Sequence, residues 1–238
     1  MPKTRGASLL RHALTFARGR IPAQLIVQLT DACNASCPQC GMRRNAPCRR
    51  SLLSLDDGRR IIDHAAASGV SALSFTGGEP LLYPGELFTL IRYASDAGIR
   101  FTRTGTNGFL FMNPDGPEFT SRVSRLAESI AASGLYTFWI SIDSPDPEVH
   151  ESMRGLPGVI RGIERAIPIF HGHGVYPSAN LGITRALLPP SPGGSVPAGY
   201  EEFRDGFRSF YRRVIDLGFT IANACYPMNV EAEASPSL

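Results

Sequence analysis

Short apolar runs alternate with amphipathic stretches along most of this chain. Each run is rich in β-branched or aromatic residues and is bounded by turn-forming residues, which predicts six strands at residues 25–29, 72–76, 99–104, 136–142, 176–183 and 219–224. Apolar positions at helical spacing predict five helices between them, at residues 54–68, 84–97, 117–133, 158–171 and 200–217. Ser54 is the expected N-cap of the first of these helices, and Gly69 is its expected stop.

This alternation predicts an α/β fold with a parallel sheet, because each helix carries the chain back to start the next strand in the same direction. We expect a partial (β/α)6 barrel of the TIM type with a curved sheet, whose functional residues lie at the C-terminal ends of the strands. The predicted organisation is an amphipathic helix and lead-in at residues 1–22, the barrel at residues 23–228 and a flexible polar tail at residues 229–238.

Polar or glycine-rich motifs occupy the ends of the predicted strands. They are the cysteine-rich stretch after the first strand and the segments 76–80, 105–108, 141–145, 180–184 and 225–227 at the strands that follow. Taken singly, each motif also fits an ordinary turn before a helix. Since the C-terminal ends of parallel strands share one edge of a sheet, the motifs are expected to converge on one mouth, which favours a functional interpretation.

Three cysteines within eight residues, Cys33, Cys37 and Cys40, are the strongest chemical signal in the chain. Their spacing suits one buried helix face, but Pro38 costs about 3 kcal/mol inside a helix. A disulfide framework is disfavoured because the chain has five cysteines and no secretory context. Three thiolates hold either three irons of a [4Fe–4S] cluster, with the fourth iron open to chemistry, or a zinc ion that needs one more ligand. No second ligand pair with zinc spacing follows, so iron–sulfur is favoured and zinc stays the alternative.

The charge balance limits the classes of partner. The net charge is only +3 and no basic block is present, which argues against nucleic acid as a partner. The apolar stretch at residues 9–25 is interrupted by Arg11, Arg18 and Arg20, so it predicts neither a membrane span nor an export signal. Unpaired thiols without an export signal predict a cytoplasmic protein.

The cysteine spacing, together with Gly77-Gly78-Glu79-Pro80 after the second predicted strand, resembles the radical S-adenosylmethionine (radical SAM) superfamily. The resemblance covers residues 25–226, which is nearly the whole predicted core. The run Ser141-Ile142-Asp143, followed by His150, Arg154 and Gly155, is similar to the branch that includes peptide-modifying and sulfatase-maturing enzymes, many of which carry a C-terminal SPASM or twitch extension.

This resemblance implies the cofactors and the chemistry. Cys33, Cys37 and Cys40 match the ligands of a [4Fe–4S] cluster, whose open iron binds the methionine part of S-adenosylmethionine. Reductive cleavage of that cofactor gives a 5′-deoxyadenosyl radical, which takes a hydrogen atom from the substrate. The implied partners are a one-electron reductant such as flavodoxin or ferredoxin and an unidentified substrate, either a peptide or a small molecule.

The resemblance also implies which residues bind S-adenosylmethionine. Gly77, Gly78 and Glu79 match the segment that meets its amino group, and glycines suit a close approach of backbone. Pro80 suits a first helical position because it has no N–H to satisfy. Ser141 matches a position that contacts the ribose or the carboxylate of the cofactor, and Arg154 is a candidate partner of that carboxylate because a guanidinium can bind both oxygens. Asn107, Asn180 and Asp143 are expected at the mouth of the barrel, and Asp143 is expected to face the substrate.

Two departures from the family pattern limit these expectations. The residue before the third cysteine is often aromatic and packs near the adenine, whereas here it is Gln39. Only Cys48 and Cys225 remain outside the triplet, too few for a second ordinary cluster, so either the enzyme has one cluster or these residues are the N-terminal part of a longer SPASM-type maturase. Cys225 is interpreted as a plain buried thiol or as a hydrogen-atom donor. A non-catalytic module that binds zinc or a cluster is the alternative function.

Overall fold

The computed structural model of the protein describes residues 24–40, 51–188 and 199–225, together with Leu14 and Ala17. Several predictions fall outside the described residues. They are most of the helix and lead-in at residues 1–22, the flexible tail at residues 229–238, and the surroundings of Cys48.

Six parallel strands form one curved sheet that is not closed. Their spatial order follows the sequence, so each strand pairs with the one before it and the one after it. The strands are β1 Gln24–Thr30, β2 Ala72–Gly77, β3 Phe101–Thr106, β4 Thr137–Ser141, β5 Ser178–Gly182 and β6 Ala222–Cys225. The predicted α/β fold, a partial barrel of the TIM type with a curved parallel sheet, is confirmed.

In the described parts of the chain, six helices connect these strands: α1 Leu55–Ala67, α2 Pro84–Asp96, α3 Phe119–Ser133, α4 Pro147–Arg154, α5 Val159–Gly172 and α6 Tyr200–Asp216. Short 3-10 helices, Pro80–Leu82, Phe109–Phe111 and Arg185–Leu187, follow β2, β3 and β5. Ser54 caps α1 as predicted, because its side chain accepts a hydrogen bond from the backbone N–H of Asp57.

The helix α4 is not among the predicted elements, although the sequence carries its start signal. The Asp146 side chain accepts hydrogen bonds from the amides of Glu148 and Val149, and Pro147 occupies the first helical position. A stretch of only eight residues shows too little periodicity to be distinguished from a loop. This omission matters because α4 carries Arg154.

The strand β3 begins two residues later than predicted. Gly98 ends α2 in a left-handed conformation, and the amide of the buried Ile99 donates a hydrogen bond back to the carbonyl oxygen of Ala94. The apolar Ile99 therefore belongs to the end of the helix rather than to the sheet. The strand also ends later than predicted, at Thr106, so that Asn107 is the first residue after it.

The two faces of the sheet differ in their surroundings. One face carries buried apolar side chains such as Leu29, Phe75 and Ile140, which belong to the same core as the buried helical residues. The positions that alternate with these form the other face, which we call the inner face. It is mostly polar and includes Ser141 and Asn180. Among the described residues, no helix is long and apolar enough to cross a membrane.

Candidate active site

The cysteine loop, residues 31–40, follows β1 at the C-terminal edge of the sheet. Its start is fixed by Ser51, whose carbonyl oxygen accepts hydrogen bonds from the amide of Asp31 at 3.2 Å and the hydroxyl of Thr30 at 2.8 Å. Cys33, Cys37 and Cys40 are all partly exposed and none is in a disulfide. The loop therefore presents three free thiols on a chain segment whose start is held by backbone contacts.

Gly77 and Gly78 lie directly against the backbone of the cysteine loop. The amide of Gly78 donates to the carbonyl oxygen of Thr30 at 2.7 Å, and the amide of Glu79 donates to that of Ala32 at 2.8 Å. A Cβ atom on Gly77 would lie 2.2 Å from the Thr30 oxygen, and one on Gly78 would lie 2.0 Å from the Ala32 oxygen. Gly77 also has a φ of +136°. Glycine is therefore required at both positions by the cysteine loop itself, whatever ligand lies nearby.

Glu79 is a buried carboxyl group between the ends of β2 and β3, with only 1% of its surface exposed. One oxygen accepts a hydrogen bond from the amide of Leu81 at 3.1 Å, and the other accepts one from the amide of Asn107 at 2.6 Å. Burial raises the pKa of Glu79 to about 7, although these amide hydrogen bonds act in the opposite direction. Pro80 begins a 3-10 helix directly after it, in agreement with its predicted first helical position.

Asn107 joins the end of β3 to the cysteine loop. Its side-chain nitrogen donates to Oδ1 of Asn34 at 2.9 Å and to Sγ of Cys33 at 3.7 Å. Its own Oδ1 accepts a hydrogen bond from the amide of Phe109, which fixes the orientation of the side-chain amide. Asn107 therefore contacts the loop itself.

Asp143 and Arg154 form a buried ion pair between the end of β4 and the end of α4. Nε and Nη2 of Arg154 lie 2.8 Å and 2.5 Å from Oδ2 of Asp143. The other carboxylate oxygen accepts a hydrogen bond from the amide of Gly182 at 3.2 Å, and Gln39 donates to Oδ2 at 3.3 Å. The carboxylate of Asp143 thus joins β4, β5, α4 and the cysteine loop. Its predicted contact with substrate stays a prediction.

The same pair brings a positive charge close to the thiols. The carbonyl oxygen of Arg154 accepts a hydrogen bond from the amide of Ser36 at 2.8 Å. Burial raises the pKa of the Cys37 thiol, and the Arg154 guanidinium is the largest influence that lowers it. Burial acts against the charge of Arg154 itself, but Asp143, Cys37 and Glu79 raise its pKa overall.

His150 is a site residue that the sequence analysis quoted but did not assign. It is fully buried one helical turn before Arg154, and its Nδ1 accepts a hydrogen bond from the amide of Asp143 at 3.1 Å. Burial and then the charge of Arg154 lower the pKa of His150 to about 4, so the ring is neutral at physiological pH. The spacing of four residues between His150 and Arg154 places both on one helix face, which could have indicated this role once α4 was recognised.

Ser141 and Asn180 lie side by side on the inner face of the sheet, and Asn223 of β6 continues the row. The expectation that Asn180 points into the barrel mouth agrees with this register. Cys225 ends β6 and is exposed, with its thiol 3.5 Å from the carbonyl oxygen of Leu181. Its interpretation as a plain buried thiol is therefore wrong, because β6 is the last strand described and its side chains are largely uncovered.

The donor set suits a [4Fe–4S] cluster. Three free thiols share one loop, and Sγ of Cys33 already accepts N–H groups from Ala35 at 3.5 Å and from Asn107. Such N–H···S contacts are among the interactions that tune iron–sulfur clusters. Among the described residues, no three His, Cys, Asp or Glu side chains are gathered closely enough to enclose a metal ion. The same holds for Cys33, Cys37 and Cys40, so the loop supplies the ligand types of a cluster without drawing the three thiols into one group.

Comparison with known proteins agrees with this arrangement. Residues 27–188, which include the cysteine loop, Glu79 and the Asp143–Arg154 pair, match the family described as the Radical SAM superfamily. The chain belongs to the radical SAM superfamily. Enzymes of this superfamily use a [4Fe–4S] cluster and S-adenosylmethionine, and they need a reductant and a substrate.

Among curated relatives, an AdoMet-dependent heme synthase of Methanosarcina barkeri is 33% identical over 153 residues, which cover 63% of this chain and 40% of the relative. A GTP 3′,8-cyclase of Mannheimia succiniciproducens is 32% identical over 150 residues, covering 61% of this chain and 41% of the relative. The chain therefore spans about two fifths of the length of these radical SAM relatives.

Among solved structures, SuiB of Streptococcus suis bound to the precursor peptide SuiA superposes with a TM-score of 0.61 at 19% identity. The match covers 93% of this chain and 44% of that one. At this identity the similarity supports the radical SAM fold and leaves the substrate open.

Proposed function

We propose that this radical SAM enzyme binds one [4Fe–4S] cluster through Cys33, Cys37 and Cys40, and cleaves S-adenosylmethionine reductively. When bound, these cofactors supply a 5′-deoxyadenosyl radical that removes a hydrogen atom from the substrate. The observation that carries the proposal is the direct backbone contact between the cysteine loop and Gly78-Glu79, because it places the proposed cluster ligands beside the proposed cofactor-binding segment.

The chain's own residues would hold and orient these cofactors. Glu79, which is anchored by two backbone amides, would meet the amino group of S-adenosylmethionine. Arg154 already uses Nε and Nη2 on Asp143, so Nη1 is the nitrogen we assign to the cofactor carboxylate. Asn107 would orient the loop around Cys33, and Ser141 and Asn180 would line the inner face next to the bound cofactor.

The substrate and the redox partner follow from the same proposal. A flavodoxin- or ferredoxin-type protein would deliver the electron, and a reducing, cytoplasmic compartment would keep the three thiols unpaired. The substrate is a peptide or a small molecule that enters along the inner face of the sheet. Residues 23–228 would form the catalytic core, whether or not the natural protein continues into a longer maturase.

Anaerobic reconstitution with iron and sulfide tests this function. The reduced wild-type protein is expected to release methionine and 5′-deoxyadenosine from S-adenosylmethionine. Cys37→Ala should lose the cluster absorbance and the products, whereas Cys225→Ala should retain the cluster because its thiol lies on β6, outside the triplet. Zinc without acid-labile sulfide, or a full cluster that yields no 5′-deoxyadenosine after reduction, would contradict the proposal.

A further inference from the structure

Arg103 is the only charged residue that the six described strands place on the inner face of the sheet. In register it lies between Ser74 of β2 and Thr137 of β4, both of them uncharged. The positions on this face in the other strands are serine, threonine, asparagine, glutamine, glycine, cysteine or apolar residues. A cation among uncharged strand positions creates a local positive potential there.

The guanidinium of Arg103 lies over the ring of Trp139. Its Cζ lies 5.8 Å from the ring centroid, at the distance of a cation–π contact. No carboxylate of the described residues pairs with it, whereas Nε and Nη2 of the buried Arg154 both contact Asp143. Arg103 is partly buried, so its N–H donors are held near the inner face rather than spread into bulk water.

Gly105 explains why Trp139 lies where it does. The two residues are neighbours in the β3–β4 register, and a Cβ atom on Gly105 would lie 2.1 Å from Nε1 of the indole and 2.2 Å from Cε2. The indole therefore lies across the backbone of β3. Any side chain at position 105 would prevent this arrangement, so the position requires glycine. This arrangement keeps the ring beside Arg103 and forms a flat apolar floor next to the charge.

Ser178 gives a second, independent indication of a ligand. It is the β5 neighbour of Trp139 in the sheet register, so its side chain lies on the same inner face. Only 2% of its surface is exposed, and its hydroxyl has no hydrogen-bond partner among the described residues. Buried hydroxyl groups without partners are rare in folded proteins, and such a group often marks a position where a missing ligand or water would bind.

We propose that Arg103, Trp139 and Ser178 form a subsite for an anionic group of the substrate, a carboxylate or a phosphate. This inference rests on the proposed function, because it assigns the chemical class of the molecule that the same enzyme would act on. Arg103 supplies charge-assisted hydrogen bonds to the anionic oxygens, and Ser178 donates its hydroxyl hydrogen. Trp139 packs against the planar or apolar part that carries the anion.

The single tryptophan makes the subsite directly observable, since Trp139 is the only one in the chain. Its fluorescence would be recorded in the reconstituted 238-residue protein at constant ionic strength during titration with benzoate, phenyl phosphate or uncharged benzyl alcohol. We expect a saturable change with at least one of the two anions, with a dissociation constant on the order of 1–10 mM, and none with benzyl alcohol. Benzoate and phenyl phosphate distinguish a carboxylate from a phosphate as the preferred group.

Variants separate recognition from a structural role. Arg103→Gln should weaken anion binding about tenfold or more, as expected for loss of a charged hydrogen-bond partner, and Arg103→Lys should retain part of it. Arg125→Gln, which removes the same charge from an exposed position of α3, is the control and should bind like wild type. Ser178→Ala should leave the melting temperature unchanged or higher, because its hydroxyl has no partner, yet weaken binding about fivefold.

Two results would overturn the subsite. One is the absence of saturable binding of either anion to wild type, and the other is equal binding by wild type and Arg103→Gln with a lower melting temperature for the variant. The latter would mean that Arg103 only stacks on Trp139. A wild-type protein that cleaves S-adenosylmethionine but binds neither anion would refute this inference alone. One that binds the anion but never yields 5′-deoxyadenosine would refute the proposed function alone.

Discussion

The amide nitrogen of Gly78 lies 2.7 Å from the carbonyl oxygen of Thr30, so the end of β1 and the segment after β2 are joined by backbone alone. No side chain takes part in this contact, and none can be added to it, because a Cβ atom on Gly78 would lie 2.0 Å from the carbonyl oxygen of Ala32. The spacing between the cysteine loop and the proposed cofactor-binding segment is therefore set by the shape of two chain segments rather than by adjustable side chains.

Gly78→Ala is expected to destabilise the protein and to impair cluster loading. The new methyl group meets the backbone atoms of Asp31 and Ala32, and backbone cannot move aside as a flexible side chain can. We expect a loss of about 3 kcal/mol or more in the free energy of unfolding, measured by anaerobic urea denaturation. Gly85→Ala is the matched control: nothing lies within 4 Å of its added Cβ, and alanine in the first turn of α2 should be neutral or stabilising by up to about 1 kcal/mol. Similar losses in the two variants would contradict this account.

Removing the buried cation at position 154 is expected to cost far more than removing an exposed one. Arg154→Met leaves the Asp143 carboxylate buried without its partner, which typically destabilises a protein by about 3–5 kcal/mol. Arg161→Met removes one partner of the Arg161–Asp115 pair, whose side chains are 64% and 60% exposed, and should cost less than about 1 kcal/mol. Urea denaturation of the two variants provides the comparison.

A second substitution identifies the origin of that loss. If it comes from the uncompensated charge of Asp143, then Asp143→Leu in the Arg154→Met background should recover part of the stability. A further decrease on adding Asp143→Leu would show instead that the hydrogen bond from the Gly182 amide to Asp143 is the dominant interaction.

His150 is expected to make the fold less stable as the pH falls. Its pKa is lowered from 6.5 to about 4 in the folded protein. Between these pH values the unfolded chain therefore binds a proton at His150 that the folded protein does not bind. The stability difference between wild type and His150→Asn should therefore shift against wild type by about 3 kcal/mol as the pH falls from about 6.5 to about 4. Urea denaturation of both proteins across this range measures it, and parallel pH profiles would argue against a neutral buried imidazole.

Glu79 is expected to have the opposite pH dependence. Its pKa is raised from 4.5 to about 7, so the folded protein holds a proton that the unfolded chain releases, and this contribution is present below pH 4.5 and lost as the pH rises through 7. Relative to Glu79→Gln, wild type should lose about 3 kcal/mol between about pH 4.5 and about pH 7. The contributions of Glu79 and His150 to stability oppose each other between these pH values. The free energy of unfolding of each single variant should therefore change with pH more steeply than that of wild type. A flat difference for Glu79→Gln would mean that the carboxyl is ionised throughout this range.

The sequence predicted the sheet well because strand periodicity and glycine stops are local signals. It missed α4, and it therefore could not show that Arg154 reaches Asp143, since that contact depends on where a short helix returns the chain. The glycines were predicted to suit a close approach of backbone, and their closest neighbours are backbone atoms of Thr30 and Ala32, a tertiary contact between residues 46 and 47 positions apart in the chain. Gln39 departs from the aromatic residue expected before the third cysteine, and only the structure pairs it with Asp143.

The strictly sequential order of the strands has a consequence for how the site is assembled during synthesis. The loop near Cys33 is held by residues 51–53 and by Gly78-Glu79, and all of these residues lie in the first third of the chain. These contacts can therefore form early in synthesis. The contact of Ser36 with Arg154, and the influence of Arg154 on the Cys37 thiol, arise only after α4 has been synthesised and has packed against the loop. The two ends of the loop are thus held by parts of the chain that are synthesised at different times, and a ribosome stalled between β3 and α4 should expose a loop that is anchored at one end only.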